Sequence, residues 1–222
     1  MLTYPGAKVV PGTDCGPFVG GPPRGVLHTT EGTSAAGAIG AFRANDDWPH
    51  FTVSYENGRF LVIQHLDITR GAKSLEHRPG TVQTNLQHAI QIEIVGAAAH
   101  SSTFPAAYLA GIAQLMRWIE QHTGIKPVTS VQWKPYPASG GDSNGIRLSD
   151  AAWLSYNGWC GHMHVPNQEH GDPGALNIHA LLPTSPTAPT VADAPAPAHP
   201  ALPLDGDVHF VVSHAEQTTL EQ

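Results

Sequence analysis

Gly161-His162-Met163-His164-Val165-Pro166-Asn167-Gln168-Glu169-His170-Gly171-Asp172-Pro173-Gly174 places several metal-competent side chains in one short loop punctuated by Gly and Pro. His162 and Asp172 are ten residues apart, and the stretch reads as half of a zinc site. A tetrahedral catalytic zinc takes three protein ligands and leaves its fourth position for water, so a third ligand must come from elsewhere in the chain. His28 is the best candidate, because it ends the short apolar run Gly25-Val26-Leu27 before Thr29-Thr30-Glu31-Gly32. A buried strand delivering its last side chain into a cleft has this pattern. The chain holds 14 histidines, however, and any one of them is more often a surface or core residue than a ligand. Spacing alone leaves the ligand set open.

Further blocks of sequence bear on the question. His50-Phe51-Thr52-Val53 leads into Tyr55-Glu56-Asn57-Gly58-Arg59-Phe60, and Ile90-Gln91-Ile92-Glu93-Ile94-Val95-Gly96 follows later. With the run ending in His28 and the 162–174 loop, these blocks span about residues 20 to 178. In this order they resemble the zinc-dependent N-acetylmuramoyl-L-alanine amidases, the family that includes phage endolysins and the peptidoglycan recognition proteins. The family pattern is a His at the end of the first strand, then a second His followed ten residues later by the Asp of Asp-Pro-Gly. His28, His162 and Asp172 occupy those positions, and the resemblance implies that they bind Zn2+. His and Asp ligands accept several divalent ions, so the residues alone do not choose the metal.

The resemblance also implies roles for acids and bases. Glu93 lies between Ile92 and Ile94, so strand alternation sets its carboxylate alone on one face, a costly placement unless the group is used or paired. An acid at the matching family position acts as general base, and that role passes to Glu93; an ion pair or support for a histidine is the structural alternative. His170 stands where many relatives carry a Lys that polarises the substrate carbonyl. An imidazole is cationic only below about pH 6.5, so His170 is expected to serve as a hydrogen-bond donor. His164 replaces an acidic residue of the relatives, and continued strand alternation would put it on the face of His162, as a substrate contact or a ligand. Cys160 makes a Cys-x-His pair with His162, but reads as a small buried strand residue. His50 is expected to line the cleft, Trp48 either to offer it an aromatic face or to sit in the core, and Asn85 to form a turn. The relatives' Trp-His segment after the hairpin is replaced by Arg70-Gly71-Ala72-Lys73-Ser74-Leu75.

Composition narrows the class. A net charge of −7 with dispersed Lys and Arg excludes nucleic acid as the partner, since phosphate binding needs a basic face. No stretch approaches the roughly 18 consecutive apolar residues of a membrane span, and the start lacks the regions of a secretory signal. An endolysin of this kind is expected to stay in the host cytoplasm until a holin-type partner releases it to the peptidoglycan, and to act as a monomer. Two cysteines, Cys15 and Cys160, make no disulfide scaffold.

Along the chain, residues 1–24 form a Gly- and Pro-rich arm, and Ser34 to Ala44 is a short helix. Residues 51–66 form a hairpin turning at Asn57-Gly58, and Ala89 to Val95 a strand. Phe104 to His122 is a helix with Pro105 in its first turn and Gly124 ending it. A strand near Thr129 to Trp133 and a Gly-rich loop, 135–145, lead to the metal loop. The sum is an α/β fold, a single mixed β-sheet flanked by helices. The expected organisation is an amidase domain over 1–182, a Pro/Ala-rich linker over 183–204 that cannot build a core, and a short tail over 205–222. Two other classes compete with hydrolysis: a peptidoglycan-binding recognition module without catalysis, and an unrelated zinc protein whose metal has four protein ligands.

Overall fold

The alternation that marks Ile90, Ile92 and Ile94 as one face of a strand also decides where the molecule keeps its core. In the computed structural model, which describes residues 1–138 and 145–182, six strands form one mixed sheet: β1 (Lys8–Val9), β2 (Arg24–Thr29), β3 (Phe51–Glu56), β4 (Arg59–Gln64), β5 (Ala89–Ile94) and β6 (Trp159–Gly161). Their order is β1-β4-β3-β5-β2-β6. Only β3 and β4 run antiparallel; the other neighbours are parallel. The expected linker (183–204) and tail (205–222), with part of the 135–145 loop, lie outside the described residues.

The β3–β4 hairpin turns at Asn57 (φ 51°) and Gly58 (φ 75°), as the Asn-Gly pair predicts, because a two-residue turn matching the strand twist needs positive φ at both positions. Helix α2 (Ala106–Thr123) has Pro105 before it and Gly124 at its end. Its Ile112, Leu115, Met116 and Ile119 are fully buried with Leu27, Phe51, Ile92 and Ile94 of the sheet, each such side chain contributing about 1.5–3 kcal/mol. On the other face lies α1 (Ala35–Asn45), capped by Ser34, whose hydroxyl accepts from the Gly37 N–H at 3.2 Å. Its Ile39 and Phe42 pack with Trp48 and Leu66.

Parallel pairing aligns residues laterally as well. Leu27, Ile92 and Phe51 are register partners facing α2; one step on, His28, Glu93 and Thr52 are partners on the opposite face. One register thus gives the three strands a hydrophobic row and, beside it, a polar row.

One expected element is missing. Thr129 to Trp133 is irregular, although Val131 and Trp133 pack against the two core clusters. Its Thr129 and Gln132 serve side chains, accepting from the Trp133 indole at 3.1 Å and from His164 at 2.9 Å. The segment also sits between Pro127 and Pro135, which cannot donate to a ladder.

Candidate metal centre

The polar row opens into a cleft of about 510 Å³, lined among others by His28, Glu31, Asp47, Glu93, His170 and Asp172. His28 is the penultimate residue of β2 and is 1% exposed. His162 and Asp172 come from the loop after β6, which pairs with β2, so adjacent strands bring the two halves of the site together. His28 Nδ1 is 3.1 Å from His162 Nδ1. Asp172 Oδ1 is 3.2 Å from His162 Nδ1, and its Oδ2 is 3.8 Å from His28 Nδ1. Oδ2 also accepts the Thr29 N–H at 3.2 Å, which fixes the carboxylate from β2.

Two imidazole nitrogens and a carboxylate this close repel one another unless a cation or a proton lies among them. Bonds of about 2.0–2.2 Å at a tetrahedral angle separate ligand atoms by about 3.3–3.5 Å, and the observed 3.1–3.8 Å brackets that range. The donor set therefore fits zinc. Burial first, and then the neighbouring His162, lower His28 to about 3. Burial pushes Asp172 up, but His162, His28 and His170 outweigh it and bring the carboxyl to about 2. Both groups are thus held unprotonated, as ligands must be.

Glu93 Oε1 lies 3.8 Å from His28 Nδ1, and its Oε2 is buried with no hydrogen-bond partner among the described residues. Burial, then Asp172, Glu31 and Asp47, raise its carboxyl well above the usual range. His170 stacks on His162, with ring centres 4.4 Å apart and planes at 9°. Its side chain is 61% exposed to the cleft, and burial followed by His162 lowers its pKa. The structure thus brings together all five site residues expected from the sequence.

The family model described as N-acetylmuramoyl-L-alanine amidase matches residues 20–175, a span that holds every one of these side chains. The chain belongs to this family. Among solved structures, the Staphylococcus aureus hydrolase AmiA in complex with its ligand is 16% identical and superposes with a TM-score of 0.51, over 81% of this chain and 82% of that one. The N-acetylmuramoyl-L-alanine amidase LysC from Clostridium intestinale URNW is 17% identical with a TM-score of 0.40, over 55% of this chain and 78% of that one. No curated protein matches the chain.

Within this amidase fold, His164 and His50 prove to be scaffold, and Trp48 takes its core alternative. His164 does not share a face with His162, because the chain leaves the strand at Gly161 for a 3-10 turn, His162–His164. Its Nδ1 accepts the Gly161 N–H at 2.9 Å and its Nε2 donates to Gln132 O at 2.9 Å, leaving no nitrogen for a metal. His50 is fully buried; Nδ1 accepts the Gln91 N–H at 3.0 Å and Nε2 donates to Arg70 O at 2.7 Å. Trp48 is 5% exposed and packs against Phe42 and His65. Asn85 brackets Leu75, accepting from its N–H and donating to its carbonyl, which is the expected structural part. Cys160 is buried in β6 with its thiol raised to about 12 by burial, and both cysteines are free. Lys73, Ser74 and Leu75, in place of the relatives' Trp-His segment, line the cleft.

Two supporting residues were not foreseen. The Arg147 guanidinium donates to the carbonyls of His162, Met163, Val165 and His170 at 2.9–3.3 Å, gathering the metal loop around one cation. Gln168 is 3% exposed, with Oε1 3.1 Å from His162 Nε2.

Proposed function

We propose that this chain is a zinc-dependent N-acetylmuramoyl-L-alanine amidase of endolysin type, with residues 1–182 as its catalytic unit, hydrolysing the amide between the lactyl group of muramic acid and L-alanine in peptidoglycan. The observation that supports this reading most is the convergence of His28, His162 and Asp172 at ligand spacing in an open cleft, with Glu93 3.8 Å from His28. Family membership supports the reaction class. No helix among the described residues is long and apolar enough to cross a membrane.

His28, His162 and Asp172 hold the zinc. When bound, it supplies a Lewis acid that polarises the scissile carbonyl and acidifies the attacking water. Glu93 takes a proton from that water as its oxygen bonds to the carbonyl carbon. It passes the proton to the alanine nitrogen as the C–N bond breaks, leaving a lactyl carboxyl and a free amine. A carboxyl whose pKa is raised by burial suits both halves of that transfer. His170, kept neutral at pH 7 by its lowered pKa, donates a hydrogen bond to the carbonyl oxygen as charge grows there. Thr29 holds Asp172 in place through its N–H.

The test is release of L-alanine amino groups from purified muropeptide polymer by wild type and Asp172→Ala, with zinc returned after chelation. Zinc-restored release by wild type and none by Asp172→Ala is expected. Wall binding without release by either protein would replace this reading with a recognition module.

A further inference from the structure

Which ring nitrogen of His162 carries the proton decides whether Nδ1 can be a ligand at all. Nδ1 faces His28 and Asp172, whereas Nε2 faces Gln168 Oε1 at 3.1 Å. A side-chain amide offers an oxygen or an NH2 depending on which way it is turned, so the answer lies in what turns Gln168. Glu76 does so with its backbone: its N–H donates to Gln168 Oε1 at 3.0 Å, and its carbonyl accepts from Gln168 Nε2 at 2.6 Å. A flipped amide would set donor against donor at the first contact and acceptor against acceptor at the second. The oxygen must therefore face His162, and since an amide oxygen only accepts, His162 Nε2 must donate. A neutral imidazole protonated at Nε2 has its lone pair on Nδ1, aimed at the other two ligands.

We propose that Gln168 is a positioning residue that fixes His162 in its metal-binding tautomer from a backbone anchor on the cleft wall. The proposal rests on the zinc-site reading above and gives it a named support. Glu76 and its neighbour Leu75 line the cleft beside the metal group, so wall and ligand share one anchor. Carbonyl or carboxylate partners of a ligating His fix its orientation and raise its basicity, and their loss weakens metal affinity about 10- to 100-fold.

Zinc affinity of the full chain, measured by competition with a chromophoric chelator, tests this without reference to activity. Gln168→Leu is expected to weaken zinc binding about 10- to 100-fold. Gln168→Glu keeps an acceptor for His162 Nε2 but loses the donor to Glu76 O, and is expected to bind zinc within about threefold of wild type, because a carboxylate supports a ligating His equally well. A role confined to anchoring the wall predicts the opposite, with both variants equally weak, and that result overturns the proposal. Wild-type affinity in Gln168→Leu overturns it too, while leaving the zinc site standing. A wild type that holds no zinc overturns the metal site and this assignment together. Should Gln168→Leu not fold, a long-range proton–nitrogen NMR spectrum of metal-free wild type reads the tautomer directly: His162 protonated at Nε2 is expected, and protonation at Nδ1 refutes the proposal.

Discussion

Acidification from pH 7 to pH 5 should remove much of the protein's stability, through three histidines that take no part in the cleft chemistry. His50 and His164 each accept a backbone N–H at Nδ1 and donate at Nε2 to a carbonyl. His65 donates from Nδ1 to Val10 O and accepts the Thr52 hydroxyl at Nε2. Burial is the largest cause in all three, and holds each at about 4 against an ordinary 6.5. The unfolded chain therefore takes up protons first. Stability is complete above pH 6.5 and is lost as pH falls towards 4. At pH 5 the difference in proton uptake costs about 2 kcal/mol per histidine, or about 6 kcal/mol for the three. In the metal-free protein His28, lowered to about 3, adds to this loss, and Glu93, raised by burial, works against it. His88 and His170, also lowered by burial, add to the loss as well. Domains of this size hold only about 5–15 kcal/mol in all. Urea unfolding followed by tryptophan fluorescence at pH 7, 6 and 5 measures the loss, and His65→Gln, which can still accept from Thr52 and donate to Val10, should recover about 2 kcal/mol of it. A flat midpoint between pH 7 and pH 5 would refute the neutral assignment of these histidines.

Arg147→Ala should lower kcat/KM at least about tenfold by releasing the metal loop from its shared cation, with far-ultraviolet dichroism unchanged; retained activity would deny the loop that dependence. Gly25→Ala should destabilise by about 1–3 kcal/mol, because a Cβ there would sit 2.1 Å from the Trp159 ring; an unchanged thermal midpoint would contradict the packing. Arg24 is fully buried over the Trp153 ring, with Nε and Nη1 unpartnered among the described residues and its pKa lowered to about 10 by burial. Replacing it by Leu should cost less than about 1 kcal/mol or stabilise, whereas Arg24→Ala should destabilise by about 2 kcal/mol or more through the cavity it leaves; chemical denaturation separates the two.

Much of this molecule is legible in its sequence where one local rule decides a feature alone. Asn57-Gly58 between alternating apolar runs specifies the hairpin, and Pro105 and Gly124 bracket α2. The convergence of His28, His162 and Asp172 as a candidate metal trio is legible through their spacing combined with a family pattern. Thr129 to Trp133 misleads because apolar alternation reports burial rather than hydrogen bonding, and its carbonyls and hydroxyls serve side chains instead of a ladder. His164 misleads because alternation holds only while the strand lasts, and β6 ends at Gly161. Gln168 and Arg147 carry no local signal. A polar residue in a Gly- and Pro-rich loop looks solvated until the fold buries it against Glu76 or sets it against four carbonyls.

The pairing of β2 with β5 has a consequence for failure. His28 and Glu93 share a rung, and the rungs on either side hold Leu27 with Ile92 and Thr29 with Ile94. A slip of one residue between these strands would invert β5, sending isoleucines into the cleft and a carboxylate into the packing under α2. No half-active misfold is available by that route. Errors of assembly at this pair are converted into loss of the whole fold, and any copy that folds has its acid on the face that carries His28.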